Sequence, residues 1–242
     1  MLEEIFNWAD VITYPLKDKV ELYRRVTELR LLGLKQLVQE GSTELFGKKV
    51  LGKGTVGIVV KGVFVGGIRV SVKIRRMDAS RPSLLGEARI LAEINLSGIG
   101  PQLIAASRNF LVWEYVDGIP IDKWILECSP SDLFNTLKLV LIQLWILDKI
   151  GVAHNELSRF SNHILVQKDG KPVIIDFESA SYHKFRANIP QFLSFLLNEN
   201  SKTARIIREK LAISPPREKV RDLLRYYKKG SVTLEDILDL LQ

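Results

Sequence analysis

The chain has 242 residues, of which 46% are hydrophobic and 26% are charged. These proportions are typical of a folded globular protein and exclude a disordered or fibrous one. The longest apolar stretch covers only residues 139–147, whereas a membrane-spanning helix needs about 20 such residues. We therefore expect no contact with a membrane.

The first residues and the cysteine content indicate a cytoplasmic protein. The chain begins Met1-Leu2-Glu3-Glu4, with acids where a secretory signal carries its positive charge. Its single cysteine, Cys128, excludes an internal disulfide and a metal site built from CxxC pairs. We expect the protein to stay in the cytoplasm.

The formal net charge is +7, and much of the excess is local: residues 202–229 contain ten lysines and arginines but only three acids. Such a stretch is either a solvated helix face or a docking surface for an acidic or nucleic-acid partner. The charge alone leaves both interpretations open.

Residues 1–48 are predicted to form an N-terminal helical extension, because apolar residues recur at helical spacing before Gly33 and again before Gly41. From Val50 onward the spacing of the apolar residues changes to the alternation that is typical of strands. Two β-rich runs meet at the pair Gly66-Gly67, which predicts a hairpin.

Residues 49–115 are predicted to be sheet-rich with one helix. The helix is expected to start near Pro82 and to end at Gly98, because proline suits a first turn and glycine follows a last one. A second pair of strands is expected on either side of Arg108-Asn109.

Residues 116–242 are predicted to be mostly helical. The run Ser129-Pro130-Ser131-Asp132 combines an N-cap, a first-turn proline and an acid at the third position, and it opens a helix that continues to Lys149. A last helix is expected to start near Ser231 or Thr233.

Short strands are expected at residues 164–167 and 172–176, joined by the turn Asp169-Gly170. With these strands the predicted fold class is α+β, with a sheet-rich lobe over residues 49–115, a hinge at residues 113–118 and a helical lobe over residues 116–242.

Three glycines stand at GxGxxG spacing, Gly52, Gly54 and Gly57, and Val59 follows two places later. Glycine lets backbone N–H groups approach a polyphosphate without a Cβ in the way. A dinucleotide-binding fingerprint needs a helix after the loop, whereas Gly57 leads directly into a strand, and the GKS or GKT ending of a Walker A loop is missing. The loop is therefore predicted to lie inside a hairpin.

The next strand ends in VSVK at Lys73, and the combined pattern resembles the nucleotide lobe of protein kinases. The resemblance implies that Lys73 holds the phosphates of ATP and pairs with a helical glutamate. Glu87, 14 residues further on, fits that role, with Glu93 as a rival. The segment containing Glu114 and Val116 resembles the kinase hinge, whose backbone binds the adenine edge. The expected nucleotide-binding residues are Gly52, Gly54, Gly57, Val59, Lys73, Glu87, Glu114 and Val116.

The catalytic half resembles the same family. HNEL at residues 154–157 stands where kinases carry HRDL, and DFE at residues 176–178 stands where they carry DFG. The resemblance implies that Glu156 orients the acceptor hydroxyl group and that Asn162 and Asp176 bind Mg²⁺, which prefers hard oxygen donors.

Three departures from the family pattern stand out. Glu156 replaces the catalytic aspartate, and Asn162 follows it by six residues instead of about five. Glu178 replaces the DFG glycine and either serves the metal or caps the next turn. Asn155 replaces the arginine that binds an activation-loop phosphate, and no APE-like motif follows Ser181, so we expect no switching by activation-loop phosphorylation.

The chain is thus identified as a member of the protein kinase-like superfamily, similar over residues 49–180 to the compact atypical kinases of the RIO and Bud32 types. The resemblance implies an ATP- and Mg²⁺-dependent serine/threonine protein kinase that acts on a protein substrate, with Lys73, Glu156 and Asp176 as catalytic residues. Three alternatives stay open: a pseudokinase that binds nucleotide or a partner without transfer, a small-molecule kinase, and a nucleic-acid-binding protein.

Overall fold

A computed structural model describes residues 2–182, 187–214 and 216–241. The chain divides into two compact units. The first comprises Met1–Asn95 with Pro101–Tyr115, and the second comprises Leu96–Gly100 with Val116–Gln242.

The first unit contains a six-stranded antiparallel sheet in the order β1-β5-β6-β8-β7, with β4 beside β5. Strands β2 and β3 form a separate antiparallel pair. The elements of this unit are α1 Leu2–Phe6, α2 Ala9–Ile12, α3 Lys19–Leu31, β1 Leu34–Val38, β2 Thr43–Leu45, β3 Lys48–Val50, β4 Gly52–Lys53, β5 Gly57–Phe64, β6 Arg69–Arg75, α4 Leu85–Asn95, β7 Leu103–Ala106 and β8 Phe110–Glu114.

The predicted hairpin and strand pair of this unit are confirmed. Strands β5 and β6 pair in register from Gly57 opposite Arg75 to Val63 opposite Arg69, and β7 pairs with β8. The predicted helix is also present as α4, which begins at Leu85, three residues later than expected.

The two faces of the sheet carry different side chains because successive residues of a strand point to opposite sides. Val70 and Val72 of β6 belong to the core that includes Val26 and Leu29 of α3. Leu111, which lies opposite Lys73 in the pairing of β6 with β8, instead packs with Ala88 of α4. Lys73 therefore points to the face that α4 covers.

The prediction that residues 34–48 are helical is wrong. Leu34–Val38 is the edge strand β1, which pairs with β5, and the helices end at Leu31. Leu34 and Leu37 have a helix-like spacing of three, yet both are buried in the sheet core. The β1 register shifts by one residue between Leu34 and Gln36, and such a bulge brings residues three apart onto one face of a strand.

A buried arginine connects the N-terminal helices to the sheet. Arg25 of α3 is fully buried, and its Nε donates to Glu21 Oε1 at 2.9 Å. Its Nη1 donates to the Ile12 and Arg75 carbonyl oxygens at 2.9 and 2.6 Å, and its Nη2 donates to Asn109 Oδ1 at 3.2 Å. These bonds join α2, α3, β6 and the turn before β8 in one network.

The second unit is mostly helical, as predicted. Its elements are β9 Gly118–Pro120, α5 Ile121–Glu127, α6 Pro130–Lys149, β10 Val152–Ala153, β11 Ile164–Gln167, β12 Pro172–Ile174, β13 Ser181–Tyr182, α7 Asn188–Leu196, α8 Lys202–Leu211, α9 Arg217–Lys229 and α10 Leu234–Leu238. The strands form the antiparallel groups β12-β11-β9 and β10-β13. Among the described residues, no helix combines the length and the apolar character that crossing a bilayer requires.

The helix starts of the second unit follow the expected capping chemistry. Ser129 caps α6, and its hydroxyl group accepts a hydrogen bond from the Asp132 N–H at 3.1 Å. Thr233 and Asp236 form a reciprocal capping box at α10. Because each cap pairs N–H groups that a helix start leaves without a partner, these short motifs determine where α6 and α10 begin.

A buried carboxylate, Asp148 near the end of α6, ties three helices of this unit together. Its Oδ1 accepts from the Asn188 N–H at 2.9 Å, and its Oδ2 accepts from the Ile189 N–H at 3.1 Å, both at the start of α7. Its Oδ2 also accepts from the Tyr227 hydroxyl group of α9 at 2.7 Å. Asn188 in turn donates to the Val152 carbonyl oxygen at 2.7 Å. This network therefore also holds β10, the strand that leads into residues 154–162, the predicted catalytic loop.

We predict that Arg25→Met lowers the free energy of unfolding by about 2 to 4 kcal/mol, because buried acceptors at Ile12, Arg75 and Asn109 lose their donor. Urea unfolding monitored by circular dichroism measures the change. Arg24→Met on the exposed side of α3 is the control and should change stability by less than about 0.5 kcal/mol. Equal stability of the two variants would show that the network is not stabilising.

Candidate functional site

In the first unit, Lys73 and Glu87 form a buried ion pair. The Lys73 Nζ lies 3.0 Å from Glu87 Oε1 and 2.8 Å from Glu87 Oε2, and the two residues are only 3% and 8% exposed. Lys73 comes from the face of β6 that α4 covers, and Glu87 comes from the first turn of α4. The contact between Lys73 and Glu87 that the kinase resemblance implies is therefore present.

The glycine motif lies in the hairpin of β4 and β5, as its sequence context predicts. Gly52 is opposite Val59 in the register of the two strands, and the Gly54 N–H donates to the Gly57 carbonyl oxygen at 2.8 Å. Strand β5 continues directly from Gly57. This geometry differs from the strand, turn and helix of a dinucleotide-binding fingerprint.

Gly57 lies directly against the Lys73 side chain. A Cβ at this position would be 2.9 Å from Lys73 Cγ, closer than Cβ atoms come to other atoms in folded proteins, and a tight 3.0 Å from the Ile74 carbonyl oxygen. At Gly52, by contrast, a Cβ would meet no atom of the described residues within 4 Å. The third glycine of the motif thus makes room for the lysine.

The predicted hinge residues lie where the chain passes from the first unit into the second. Glu114 is the last residue of β8, and its N–H donates to the Gln102 carbonyl oxygen at 2.9 Å. The Tyr115 N–H donates to the Arg69 carbonyl oxygen at 3.1 Å. Within the described part of the chain the Val116 N–H donates to no backbone acceptor.

In the second unit, the catalytic loop is tied to the segment that follows β12. The His154 N–H donates to Asn188 Oδ1 at 2.9 Å, and its Nε2 lies 3.0 Å from the Ile175 carbonyl oxygen. Asn155 donates from its side-chain amide to the Ser179 carbonyl oxygen at 2.8 Å. Together these bonds hold the segments on which Glu156 and Asp176 lie.

Both carboxylate oxygens of Glu156 have neighbours that the sequence interpretation missed. The Ser179 hydroxyl group donates to Glu156 Oε1, and His163 Nε2 lies 3.4 Å from Glu156 Oε2. His163 had no predicted role, and no motif singles out Ser179. The sequence marks these two residues only by their position, since His163 follows Asn162 and Ser179 follows Glu178.

The extra residue of the catalytic loop lies in an irregular 3-10 helix, Leu157–Asn162. Arg159, inside this helix, has non-helical dihedral angles of φ −105° and ψ 45°, while Leu157 and Phe160 on either side are buried. Asn162 ends this helix and is exposed.

Two residues of the loops have left-handed backbone angles, Asn155 at φ 70° and Asp176 at φ 63°. Asparagine and aspartate tolerate this region better than most residues, and residues of this kind cluster at functional sites. The Asp176 side chain is 47% exposed, and its Oδ2 lies 4.0 Å from His163 Nδ1, beyond hydrogen-bonding distance. Phe177, in contrast, is buried against the His154 ring at 4.9 Å between centroids.

The two histidines of this region, His154 and His163, are buried. Burial lowers the pKa of His154 from 6.5 to about 4. Burial also lowers the pKa of His163, although the carboxylates of Asp176 and Glu156 oppose the shift. The Nδ1 atoms of both rings are buried, and neither has a hydrogen-bond partner in the described part of the structure.

The oxygen donors of the second unit suit Mg²⁺. Asn162 is exposed and the Asp176 carboxylate is half-exposed, so neither donor is enclosed in a protein cage. Mg²⁺ is usually held by one or two such protein donors together with water and substrate phosphates. Among the described residues, no group of three or more His, Cys, Asp or Glu side chains is arranged to hold a metal ion.

The sheet with a buried lysine–glutamate pair, followed by a helical unit with a catalytic loop, defines a protein kinase-like fold. A family model for the RIO domain matches residues 69–195, more than half of the chain. The protein therefore belongs to the RIO domain family, and it is an atypical kinase-like protein of the RIO and Bud32 type, as predicted. The matched residues include Lys73, Glu87 and the whole catalytic loop but begin after the glycine motif.

Curated relatives agree with this assignment. The chain is 30% identical over 135 residues to the EKC/KEOPS complex subunit BUD32 of Yarrowia lipolytica, covering 45% of this chain and 53% of that protein. It is 25% identical over 181 residues to the receptor-like serine/threonine-protein kinase SD1-7 of Arabidopsis thaliana, covering 69% of this chain and 21% of that protein. The chain thus spans between a fifth and about half of these relatives' lengths.

We predict that Gly57→Ala lowers the free energy of unfolding by about 1 to 3 kcal/mol, because the added Cβ forces the Lys73 side chain or the Ile74 backbone to move. Thermal and urea unfolding measure this loss. Gly52→Ala, in the same motif but in open space, is the matched control and should remain within about 0.5 kcal/mol of the wild type. Equal loss in both variants would contradict the close contact of Gly57 with Lys73.

We predict a pH-dependent loss of stability that originates at His154. Because its pKa in the folded protein, about 4, is below the ordinary value of 6.5, the unfolded chain binds this proton more readily. The free energy of unfolding should therefore fall as the pH decreases from 6.5 to about 4, by up to about 3 kcal/mol from this residue.

Urea unfolding between pH 4 and pH 7.5 measures this effect. His154→Gln retains a donor for the Ile175 carbonyl oxygen but does not titrate, so its stability should depend less steeply on pH than that of the wild type. Identical pH profiles for the two proteins would exclude His154 as a source of the loss.

Proposed function

We propose that the protein is an ATP- and Mg²⁺-dependent serine/threonine protein kinase that transfers the γ-phosphate of ATP to a hydroxyl group of a protein substrate. The observation that carries this proposal is the buried Lys73–Glu87 ion pair, formed under a glycine hairpin in a member of the RIO domain family. In phosphoryl transfer such a lysine cradles the phosphates, and the glutamate keeps its ammonium group in place.

The nucleotide is proposed to bind through the first unit and the junction that follows it. Lys73 would hold the α and β phosphates, and backbone N–H groups of Gly52, Gly54 and Gly57 would approach the phosphate chain, with Val59 of β5 beside it. The adenine edge would bond to backbone groups of Glu114 and Val116. The Val116 N–H, which donates to no backbone acceptor among the described residues, supports this assignment.

Glu156 is proposed to act on the acceptor. As the hydroxyl oxygen of the substrate bonds to the γ-phosphorus and the bond to the ADP oxygen breaks, Glu156 would accept the hydroxyl proton. Ser179 and His163 lie at its two carboxylate oxygens and would hold the carboxylate in one orientation. The longer side chain of glutamate would then be matched by the longer catalytic loop.

Asn162 and Asp176 would hold Mg²⁺, and their exposed oxygen atoms fit such a role. When bound, the ion supplies charge neutralisation at the β- and γ-phosphate oxygens. The left-handed backbone at Asp176 supports a functional role for this residue, because it directs the carboxylate while the next residue, Phe177, stays buried. Glu178 remains either a further metal ligand or a cap of the next turn.

A second candidate function, a pseudokinase that binds nucleotide without transferring phosphate, is favoured by one observation. Both oxygens of Glu156 already have neighbours in Ser179 and His163, so its carboxylate has less capacity to accept a proton from a substrate. A general base contributes about 10²- to 10⁴-fold to a rate. Its loss would leave nucleotide binding intact and reduce transfer.

The partners of the protein are also part of the proposal. The relative from Yarrowia lipolytica is a subunit of the EKC/KEOPS complex, which supports assembly of this chain with other proteins.

The basic helices α8 and α9 would bind an acidic or nucleic-acid surface. Arg208 and Lys210 bond to backbone carbonyl oxygens, so the surface available to a partner consists mainly of the exposed cations Lys202, Arg205, Lys219, Arg221, Arg225, Lys228 and Lys229. A cytoplasmic setting fits such partners.

We predict that the purified protein transfers labelled phosphate from γ-labelled ATP to itself or to a generic serine/threonine substrate in the presence of Mg²⁺. Lys73→Met and Asp176→Asn should reduce transfer by at least about 10²-fold, and Glu156→Gln by about 10²- to 10⁴-fold. Asp169→Asn, an exposed turn residue of the second unit, is the control and should match the wild type. EDTA should abolish transfer.

Two outcomes would contradict the kinase proposal. Equal labelling by the wild type and Asp176→Asn would show that the label comes from a contaminating kinase. An Mg²⁺-dependent rise of the melting temperature with ATP, without labelling of any protein, would establish the pseudokinase instead.

A further inference from the structure

Arg76, which lies outside the glycine motif, forms hydrogen bonds to the glycine hairpin. Arg76 directly follows β6, and its N–H donates to the Val56 carbonyl oxygen at 2.8 Å. Its Nη1 donates to the Gly54 carbonyl oxygen at 3.0 Å. Arg76 therefore contacts the tip of the hairpin through both its backbone and its side chain.

The Arg76 guanidinium group is itself held in place. Its Nε and Nη2 donate to the two carboxylate oxygens of Asp78 at 2.9 and 2.6 Å. A bidentate pair of this kind fixes the plane of a guanidinium group. The remaining nitrogen, Nη1, is thereby directed at Gly54.

A tyrosine of the N-terminal segment contacts the same hairpin. The Tyr14 ring lies 4.6 Å from Lys53 Nζ and 5.0 Å from Arg76 Cζ, both measured to the ring centroid. Its carbonyl oxygen accepts from the Met77 N–H at 2.8 Å. Because an aromatic face attracts cations within about 6 Å, the ring joins a residue between the first two glycines to the arginine that binds the hairpin tip.

We propose that Tyr14 and Arg76 are positioning residues that hold the glycine hairpin, residues 52–57, in the conformation that receives the nucleotide phosphates. A glycine-rich loop without such support would be ordered only when the ligand binds, and that loss of conformational freedom would weaken binding. This inference rests on the proposed ATP binding. It assigns a function to the N-terminal segment, which supplies one of the two residues.

A loosened hairpin should change the affinity of ligands that carry phosphates but not of ligands that lack them. The hairpin is expected to contact phosphate groups, whereas the adenine ring binds at the hinge. Loosening the hairpin should therefore weaken the binding of ATP and ADP and leave the binding of adenosine unchanged. A general loss of folding would instead weaken the binding of all three ligands to the same extent.

The experiment measures the affinities of ATP, ADP and adenosine by isothermal titration calorimetry, together with KM and kcat for ATP. Tyr14→Leu and Arg76→Gln should raise the Kd of ATP and ADP and the KM by about three- to tenfold. The Kd of adenosine and kcat should change by less than about twofold. Tyr14→Phe, which retains the ring, and Arg24→Gln, an exposed arginine of α3, are the controls and should match the wild type.

Hydrogen exchange supplies a second readout that needs no ligand. The Gly54 N–H, which bonds to the Gly57 carbonyl oxygen, should exchange faster in Tyr14→Leu than in Tyr14→Phe. Unchanged exchange, or equal weakening of adenosine and ATP, would overturn the inference while leaving the proposed function intact. A wild type that binds none of the three ligands would overturn both.

Discussion

The lysine ammonium group of Lys73 can be buried only because Glu87 meets it with both carboxylate oxygens. A charge taken out of water without a partner is costly, so this pair constrains everything around it. Strand β6 must present Lys73 on the face that α4 covers, and α4 must begin close enough for Glu87 to lie in its first turn. Gly57 must lack a side chain, since a Cβ there would collide with the lysine. Strand β6, helix α4 and Gly57 are thus arranged around one ion pair.

In the second unit, the exposed carboxylates lie on short loops, and other contacts must hold these loops in place. Hydrogen bonds from His154 and Asn155 hold these loops, and Asn155 and Asp176 adopt left-handed angles that turn the chain sharply within one residue. Asp148 extends this support to α7 and α9 through its bonds to Asn188 and Tyr227. The departures from the usual kinase motif therefore lie in an ordered setting, because Glu156 has neighbours at both of its oxygens.

Much of the local structure could be predicted because its causes lie within a few residues. The β5–β6 hairpin follows from a period of two on either side of two glycines, and α6 begins where Ser129 can cap it. The pairing of Lys73 with Glu87 was predictable from spacing once the motif was recognised. Strand β1 was missed for a physical reason: its bulge between Leu34 and Gln36 gives buried residues the spacing of a helix.

The class of fold, the helix starts and the order of the kinase-like motifs could be predicted along the chain, because periodicity, capping and motif spacing are local features. The Lys73–Glu87 ion pair was implied by the family resemblance that these motifs carry. The folded chain alone shows which distant residues support these elements. Tyr14 and Arg76 reach the glycine hairpin, Arg25 reaches Asn109, and Ser179 reaches Glu156. Such contacts join residues that are far apart in the chain. They depend on which surfaces pack together, and short-range patterns of residues do not reveal that choice.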